Sequence, residues 1–198
     1  MARHLAVAVA AAAALSAALA AVGVAWAGPA DDAANWRKVD PQNLLQLTVN
    51  GQEILVELRP DISPTHIAQI KKVTRAGDFD KVPFHRVIDD FMVQGGDVRR
   101  VHPKANYPNL KAEFTWARNP SKQRVQWMGA TPGGDKIGYL DGFLVQGQPD
   151  EVAMISDPPV ARTWMLHCAG ATSMARANDP DSADTQFFLM RQPRVGPD

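Results

Sequence analysis

The sequence predicts a mainly β domain, a barrel or sandwich, with one clear helix. Three observations lead there. From residue 44 to residue 191 the chain is a succession of short apolar runs broken by Pro- and Gly-rich turns. An Asn50-Gly51 pair separates two of these runs, a strong short-range hairpin signal. Helical periodicity is clear in one stretch, which opens at Ser63-Pro64.

The elements follow in order. Leu44–Val49 and Glu53–Leu58 flank Asn50-Gly51, which supplies the positive φ angles of a tight turn. Ile54, Val56 and Leu58 alternate with polar neighbours. At Ser63-Pro64, serine is suited to cap exposed backbone donors and proline to the first helical position. Ile67, Ile70 and Val73 then share one face, and Gly77 ends the helix. Strands are expected around Phe84–Val87 and at Phe91–Gln94. Tyr107–Phe114, Val125–Met128 and Gly138–Val145 are weaker strand candidates, separated by turns such as Thr131–Asp135. Thr163–Cys168 has the pattern of a buried strand. Thr172–Arg176 and Gln186–Met190 flank a polar loop, Asn178–Asp184.

The first 27 residues have another character. Arg3 and His4 precede an Ala/Val/Leu run from Leu5 to Val24, and Ala25-Trp26-Ala27 has the small-x-small pattern of a signal-peptidase site. Residues 1–27 are therefore expected to be a signal peptide and 28–43 a polar leader, which makes the protein periplasmic or secreted. The rival expectation is an uncleaved membrane anchor at residues 5–25; with cleavage, no stable membrane association remains.

Composition excludes several classes of function. Lys and Arg total 21 against 21 Asp and Glu, and no basic cluster is interleaved with aromatics, so nucleic acid is not an expected partner. The single cysteine, Cys168, allows no intrachain disulfide. His167-Cys168 is a poor dyad, because neighbours on a strand face opposite ways. The five histidines lack metal-ligand spacing. Asp179, Asp181 and Asp184 lack the later glutamate of a calcium loop. No metal or other cofactor is expected, and the expected state is a monomer.

The most informative stretch is Phe84–Asp97. It sets His85 and Arg86, then Phe91, Met92 and Gln94, around short apolar strands and stops at Gly95-Gly96. That set suits a shallow apolar pocket beside a fixed cationic donor. It contains no obvious nucleophile and no carboxylate pair, so it points to chemistry by positioning and polarisation.

Phe84-His85-Arg86-Val87-Ile88 followed by Phe91-Met92-Val93-Gln94-Gly95-Gly96-Asp97 resembles the signature of the cyclophilin-type peptidyl-prolyl cis-trans isomerases. A second match is Ser173-Met174-Ala175-Arg176-Ala177 with Gln186-Phe187-Phe188. The resemblance covers about residues 44–97 and 169–191. It implies a cyclophilin-like β-barrel over 44–198, with an insertion around 116–159. After Gln186-Phe187-Phe188 the family continues with a Leu-Asp-Gly-like turn and a Trp- and His-bearing pocket wall that residues 189–198 do not match, so the implied barrel is expected to be incomplete and to lack its C-terminal portion.

The resemblance also implies the chemistry. Arg86 would be the principal catalytic residue, donating to the prolyl nitrogen of a twisted amide, and Gln94 would hold a substrate carbonyl. Phe91, Met92 and Phe188 would seat the proline ring. Gln186 and the backbone of Ala175, Arg176 and Ala177 would line the adjoining groove, with His85 beside Arg86. No cofactor is implied, and the partners would be proline-containing polypeptides. The expected function is isomerisation of X–Pro bonds in exported proteins. The competing expectation is a non-catalytic proline-peptide-binding module, or an inactive fragment lacking part of the groove.

Overall fold

In a computed structural model the protein is described at Ala33 and over residues 36–192. The chain divides into two compact units, Met1–Asp40 and Pro41–Asp198. The expected signal peptide or anchor lies outside the described residues. In the first unit, Trp36 donates its backbone N–H to the carbonyl of Ala33. Among the described residues no helix is long and apolar enough to cross a membrane.

The second unit begins with the hairpin β1 (Leu44–Val49) and β2 (Gln52–Glu57). Asn50 and Gly51 have φ of 51° and 78°, and the register closes at Val49 opposite Gln52. Two consecutive positive φ values match the turn to strand twist, which is why Asn-Gly works here. Leu45, Leu47 and Val56 pack against buried Leu58, Ile70 and Phe187. Ile54, expected in the inward row, sits near the hairpin tip and is exposed.

Helix α1 (Pro64–Ala76) buries Gln69, Ile70 and Val73. Ser63 makes no side-chain cap. Instead the carboxylate of Glu113 accepts the N–H groups of Thr65 and His66 at 3.0 and 3.1 Å, bringing negative charge to the positive end of the helix dipole. At the other end Gly77, with φ of 74°, provides the left-handed cap, and its N–H and that of Asp78 return to Thr74 and Val73.

Strands β3 (Arg86–Ile88) and β4 (Met92–Gly95) join β10 (Thr172–Met174) and β11 (Phe187–Met190) in a four-stranded antiparallel sheet, ordered β10-β11-β4-β3. The stretch expected as an insertion, 116–159, supplies four strands of a second antiparallel sheet, which the next strand of the chain completes. The sheet comprises β5 (Trp116–Arg118), β6 (Gln126–Ala130), β7 (Lys136–Leu140), β8 (Phe143–Gly147) and β9 (Ala161–Met165), ordered β5-β9-β8-β7-β6. A four-residue helix, α2 (Asp150–Ala153), lies between β8 and β9. Among the described residues the chain is thus mainly β with few helices, and the sheets do not close into a barrel.

Two strand expectations change. Gly138–Val145 is two strands, because Asp141 and Gly142 take φ of 51° and 88° and turn the chain inside the apolar run. Tyr107–Phe114 forms no strand; Leu110 alone bridges, to Ala183.

The second sheet is built on Arg118, whose side chain is fully buried. Its guanidinium donates to Thr163 Oγ1, to the Gln123 carbonyl and to Asp150, and lies 5.3 Å from the centre of the Trp127 ring. A buried charge is tolerable only when so partnered. Ile62, between β2 and α1, packs with Trp116, Leu140 and Val145 of this sheet. Beside it, Arg59 pairs with Asp61 and with Asp141 in the β7–β8 turn, at 2.8 and 3.0 Å.

What positions the four-stranded sheet is a tight seam between β4 and the start of β11. A Cβ on Gly96 would fall 2.6 Å from the carbonyl oxygen of Thr185 and 2.8 Å from the Phe187 ring, and its φ is 79°. The Thr185 hydroxyl donates to the Gly96 carbonyl at 2.8 Å. Next to it, Asp184 accepts the N–H groups of Thr185 and Gln186 and pairs with Arg99 at 2.5 Å. Gln69 of α1 donates to the Asp184 carbonyl. Burial pushes the Asp184 carboxyl up, but the Thr185 N–H, Arg99 and the Gln186 N–H together hold it below the usual carboxylate range.

Two outcomes follow from this seam. Gly96→Ala combines a strained left-handed backbone with a contact that only backbone or Phe187 movement relieves, so denaturant unfolding should show a loss of at least about 2 kcal/mol. Because the folded Asp184 is the stronger acid, its contribution is complete above the unfolded-state pKa of about 3.9 and disappears as pH falls through the lower folded value. Asp184→Asn should therefore lower the unfolding midpoint at neutral pH, and its difference from the parent chain should shrink as the medium is acidified below about pH 4.

Candidate active site

Antiparallel pairing aligns one residue from each strand of the four-stranded sheet. Arg86 is opposite Gln94, Gln94 opposite Phe188, and Phe188 opposite Ser173. Because side chains alternate, these four share one face. The other face carries Phe187, which meets Phe79 and Phe84 edge-on at 5.8 and 6.2 Å and joins the core. Adjacent phenylalanines are therefore divided between the core and the candidate site by strand geometry alone.

Along the row the polar groups are connected. Arg86 Nη1 donates to Gln94 Oε1 at 3.2 Å, and Gln94 Nε2 donates to Gln186 Oε1 at 3.1 Å. Gln186 immediately precedes β11, and its carbonyl accepts the N–H of Ala175 at 2.8 Å. One exposed guanidinium is thus oriented by two half-buried amides. It carries five N–H donors in a fixed fork, and the Gln94 bond takes one of them. The face can present directed positive charge beside the apolar ring of Phe188.

The remaining candidates have distinct positions. Met92 is on the same face, opposite Ile88 and Met190, but is only 4% exposed and offers almost no contact surface. Phe91 is half-buried in the β3–β4 turn, and its carbonyl accepts the Arg191 N–H at 2.8 Å. The backbone N–H of His85 donates to the Gln94 carbonyl at 2.9 Å, and its Nδ1 is buried without a protein partner. Strand alternation turns the His85 side chain away from the Arg86 face.

Ala175, Arg176 and Ala177 continue beyond β10. The Ala177 N–H is held by the Ser182 hydroxyl at 2.8 Å, and the Arg176 guanidinium lies 5.3 Å from the centre of the exposed Phe114 ring. Phe114 therefore borders the segment expected to line the groove, a neighbour the sequence does not indicate. The nearby aspartates diverge: Asp181 binds Lys111 and the Ala112 N–H, and Asp184 faces Arg99. Among the described residues no group of three or more His, Cys, Asp or Glu side chains is arranged to hold a metal.

Two residues outside the expected site set join the face. Ser173 is the cross-strand partner of Phe188, and His167 Nε2 shares a 3.0 Å hydrogen bond with Ser173 Oγ. The His167 ring is 5.5 Å from that of Phe188, tilted at 58°. Alternation within Thr172–Met174 could have placed Ser173; nothing local in the sequence places His167.

Comparison with known proteins covers the strands that form this face. The family described as "Cyclophilin type peptidyl-prolyl cis-trans isomerase/CLD" matches residues 44–195. A protein of Brucella suis biovar 1 named "Probable peptidyl-prolyl cis-trans isomerase" is 35% identical over 151 residues, 76% of this chain. A Staphylococcus epidermidis protein named "Putative peptidyl-prolyl cis-trans isomerase" is 46% identical over 48 residues, 24% of each chain. The crystal structure of cyclophilin AquaCyp293 from Hirschia baltica aligns over 80% of this chain with a TM-score of 0.73 and 38% identity. The matched stretches span 59% of the Brucella protein and 61% of the Hirschia chain, so this chain corresponds to about three fifths of each. A sheet that joins Arg86, Gln94 and Phe188 in one row, with the family match running through all of its strands, places the chain in the cyclophilin-type peptidyl-prolyl cis-trans isomerase family.

Proposed function

We propose that this chain catalyses cis-trans isomerisation of X–Pro peptide bonds in polypeptides, and that its substrates are exported proteins. The observation that carries the reading is the Arg86–Gln94–Gln186 chain of hydrogen bonds beside Phe188 on one sheet face. Amide resonance sets a barrier of about 18–20 kcal/mol to rotation about the C–N bond. Rotation needs no bond made or broken to the protein. It needs the twisted amide to be bound more tightly than either planar isomer.

The residues divide that task. Phe188 provides an apolar surface on which a proline ring would rest, so that the rest of the peptide turns relative to it. As the amide twists, its nitrogen loses conjugation and regains a lone pair, becoming a better hydrogen-bond acceptor. Arg86 can donate there, and only weakly to the planar amide, so its bond favours the transition state. Gln94 holds the guanidinium in place and would accept or donate to the substrate backbone, with Gln186 and the Ala175–Ala177 segment along the approach. Phe91 would border the proline ring from the β3–β4 turn.

The location of the substrates rests on the N-terminal sequence, where the run from Leu5 to Val24 is followed by Ala25-Trp26-Ala27. The proposed compartment is periplasmic or extracellular, and the proposed role is assistance to folding there.

An isomerisation assay on proline peptides tests the activity. Arg86→Ala should reduce kcat/KM by about 100-fold, and Arg86→Lys should also be impaired because an ammonium lacks the fork. Since Arg86 is exposed, the unfolding midpoint should hardly move. Unchanged turnover in Arg86→Ala would remove this residue from the mechanism. Proline-peptide binding by the parent chain without turnover would make it a binding module instead.

A further inference from the structure

We infer that His167 is a positioning residue of the proline site, holding the Phe188 ring at the angle a substrate proline meets. The inference rests on the isomerase reading above and adds a residue that the family motifs do not contain.

Two contacts define the role. His167 Nε2 shares a hydrogen bond with Ser173 Oγ at 3.0 Å, and the imidazole lies 5.5 Å from the Phe188 ring at 58°. Ser173 is itself the register partner of Phe188. The imidazole is therefore tethered at one edge to the strand beside Phe188 while it packs on the Phe188 ring. A half-buried phenylalanine without such a neighbour can exchange rotamers at little cost. A hydroxyl can either donate or accept, so the tether survives in whichever tautomer leaves Nε2 able to pair.

The backbone of His167 is equally constrained. Just before it, the Leu166 N–H donates to the Leu144 carbonyl in β8 at 3.1 Å. Just after it, the Cys168 N–H returns to the Leu166 carbonyl at 2.9 Å. The Gly170 N–H then donates to the Met190 carbonyl, and the Met190 N–H to the Ala171 carbonyl, each at 2.9 Å. His167 thus sits where the chain passes from the five-stranded sheet to the four-stranded one, anchored on both sides. A side chain supported in this way can transmit the placement of one sheet to a ring on the other.

The test is steady-state isomerase kinetics on a proline tetrapeptide, with unfolding followed in parallel. His167→Ala should lower kcat/KM by about fivefold, mainly through KM, the size of a lost aromatic contact. Ser173→Ala should move it in the same direction by less. In a Phe188→Ala background His167→Ala should cause no further loss, because the ring it positions is gone. A purely structural residue would instead lower the unfolding midpoint and add its effect in that background. If His167→Ala does not fold, Ser173→Ala, which removes only a hydroxyl, decides between the same outcomes. Turnover by the parent chain with variants within about twofold of it, or with additive losses, overturns the role of His167 alone. No turnover by the parent chain overturns the isomerase reading and this inference together.

Discussion

The pairing of β4 with β11 is the constraint on which the rest of the molecule depends. It joins segments more than ninety positions apart, with Gln94 opposite Phe188 and Gly95 opposite Phe187. A slip of one residue would exchange the two faces of β11, burying Phe188 and turning Phe187 outward. The register is held by close approach rather than by side-chain affinity. Gly95 and Gly96 are the positions where a Cβ would strike the Phe84 ring, the Phe187 ring and the Thr185 carbonyl. Space made by two glycines therefore determines which phenylalanine faces the arginine.

Around that seam the protein uses buried polar groups as locators. Gln69 reaches from α1 to the Asp184 carbonyl, Asp184 collects the N–H groups at the start of β11, and Thr185 returns to Gly96. Each group would be costly to bury alone, and each is satisfied only in one arrangement. The helix thereby fixes the height of Gln186, and Gln186 fixes Gln94. Glu113 repeats the device at the start of α1, where it satisfies two backbone donors from outside the helix.

Local features were legible in the sequence to the extent that local chemistry determines them. Asn50-Gly51 takes the turn its φ preferences favour, and Gly77 caps α1 for the same reason. The grouping of Arg86, Gln94, Gln186 and Phe188 was implied by the resemblance of two motifs to one family, and strand pairing places Arg86, Gln94 and Phe188 in one row. Asp141-Gly142 went unseen inside an apolar run, although its turn chemistry is as good as that of Asn50-Gly51. The Glu113 cap and the His167–Ser173 bond had no local sign. Each depends on a segment delivered by the fold, so no period or spacing encodes it. The Arg118 centre was hidden for the opposite reason: an arginine in a strand ordinarily marks a solvated face, and only its four partners make burial tolerable.

Catalysis by a directed hydrogen bond makes a particular demand on such a scaffold. The donor must stay exposed enough to meet a polypeptide, yet be oriented before the substrate arrives, because reorganisation during the twist would cancel the benefit. A lone exposed arginine fails the second requirement; a buried one fails the first. Arg86 meets both by placing its guanidinium at the open end of a chain of amides whose far end is tied to the seam at Asp184. The order is graded from the buried carboxylate outward to the exposed cation, and so is solvent access. On the proposed reading that gradient suits the sheet face to act on an amide bond, since the reaction asks only that charge be waiting where the nitrogen lone pair emerges.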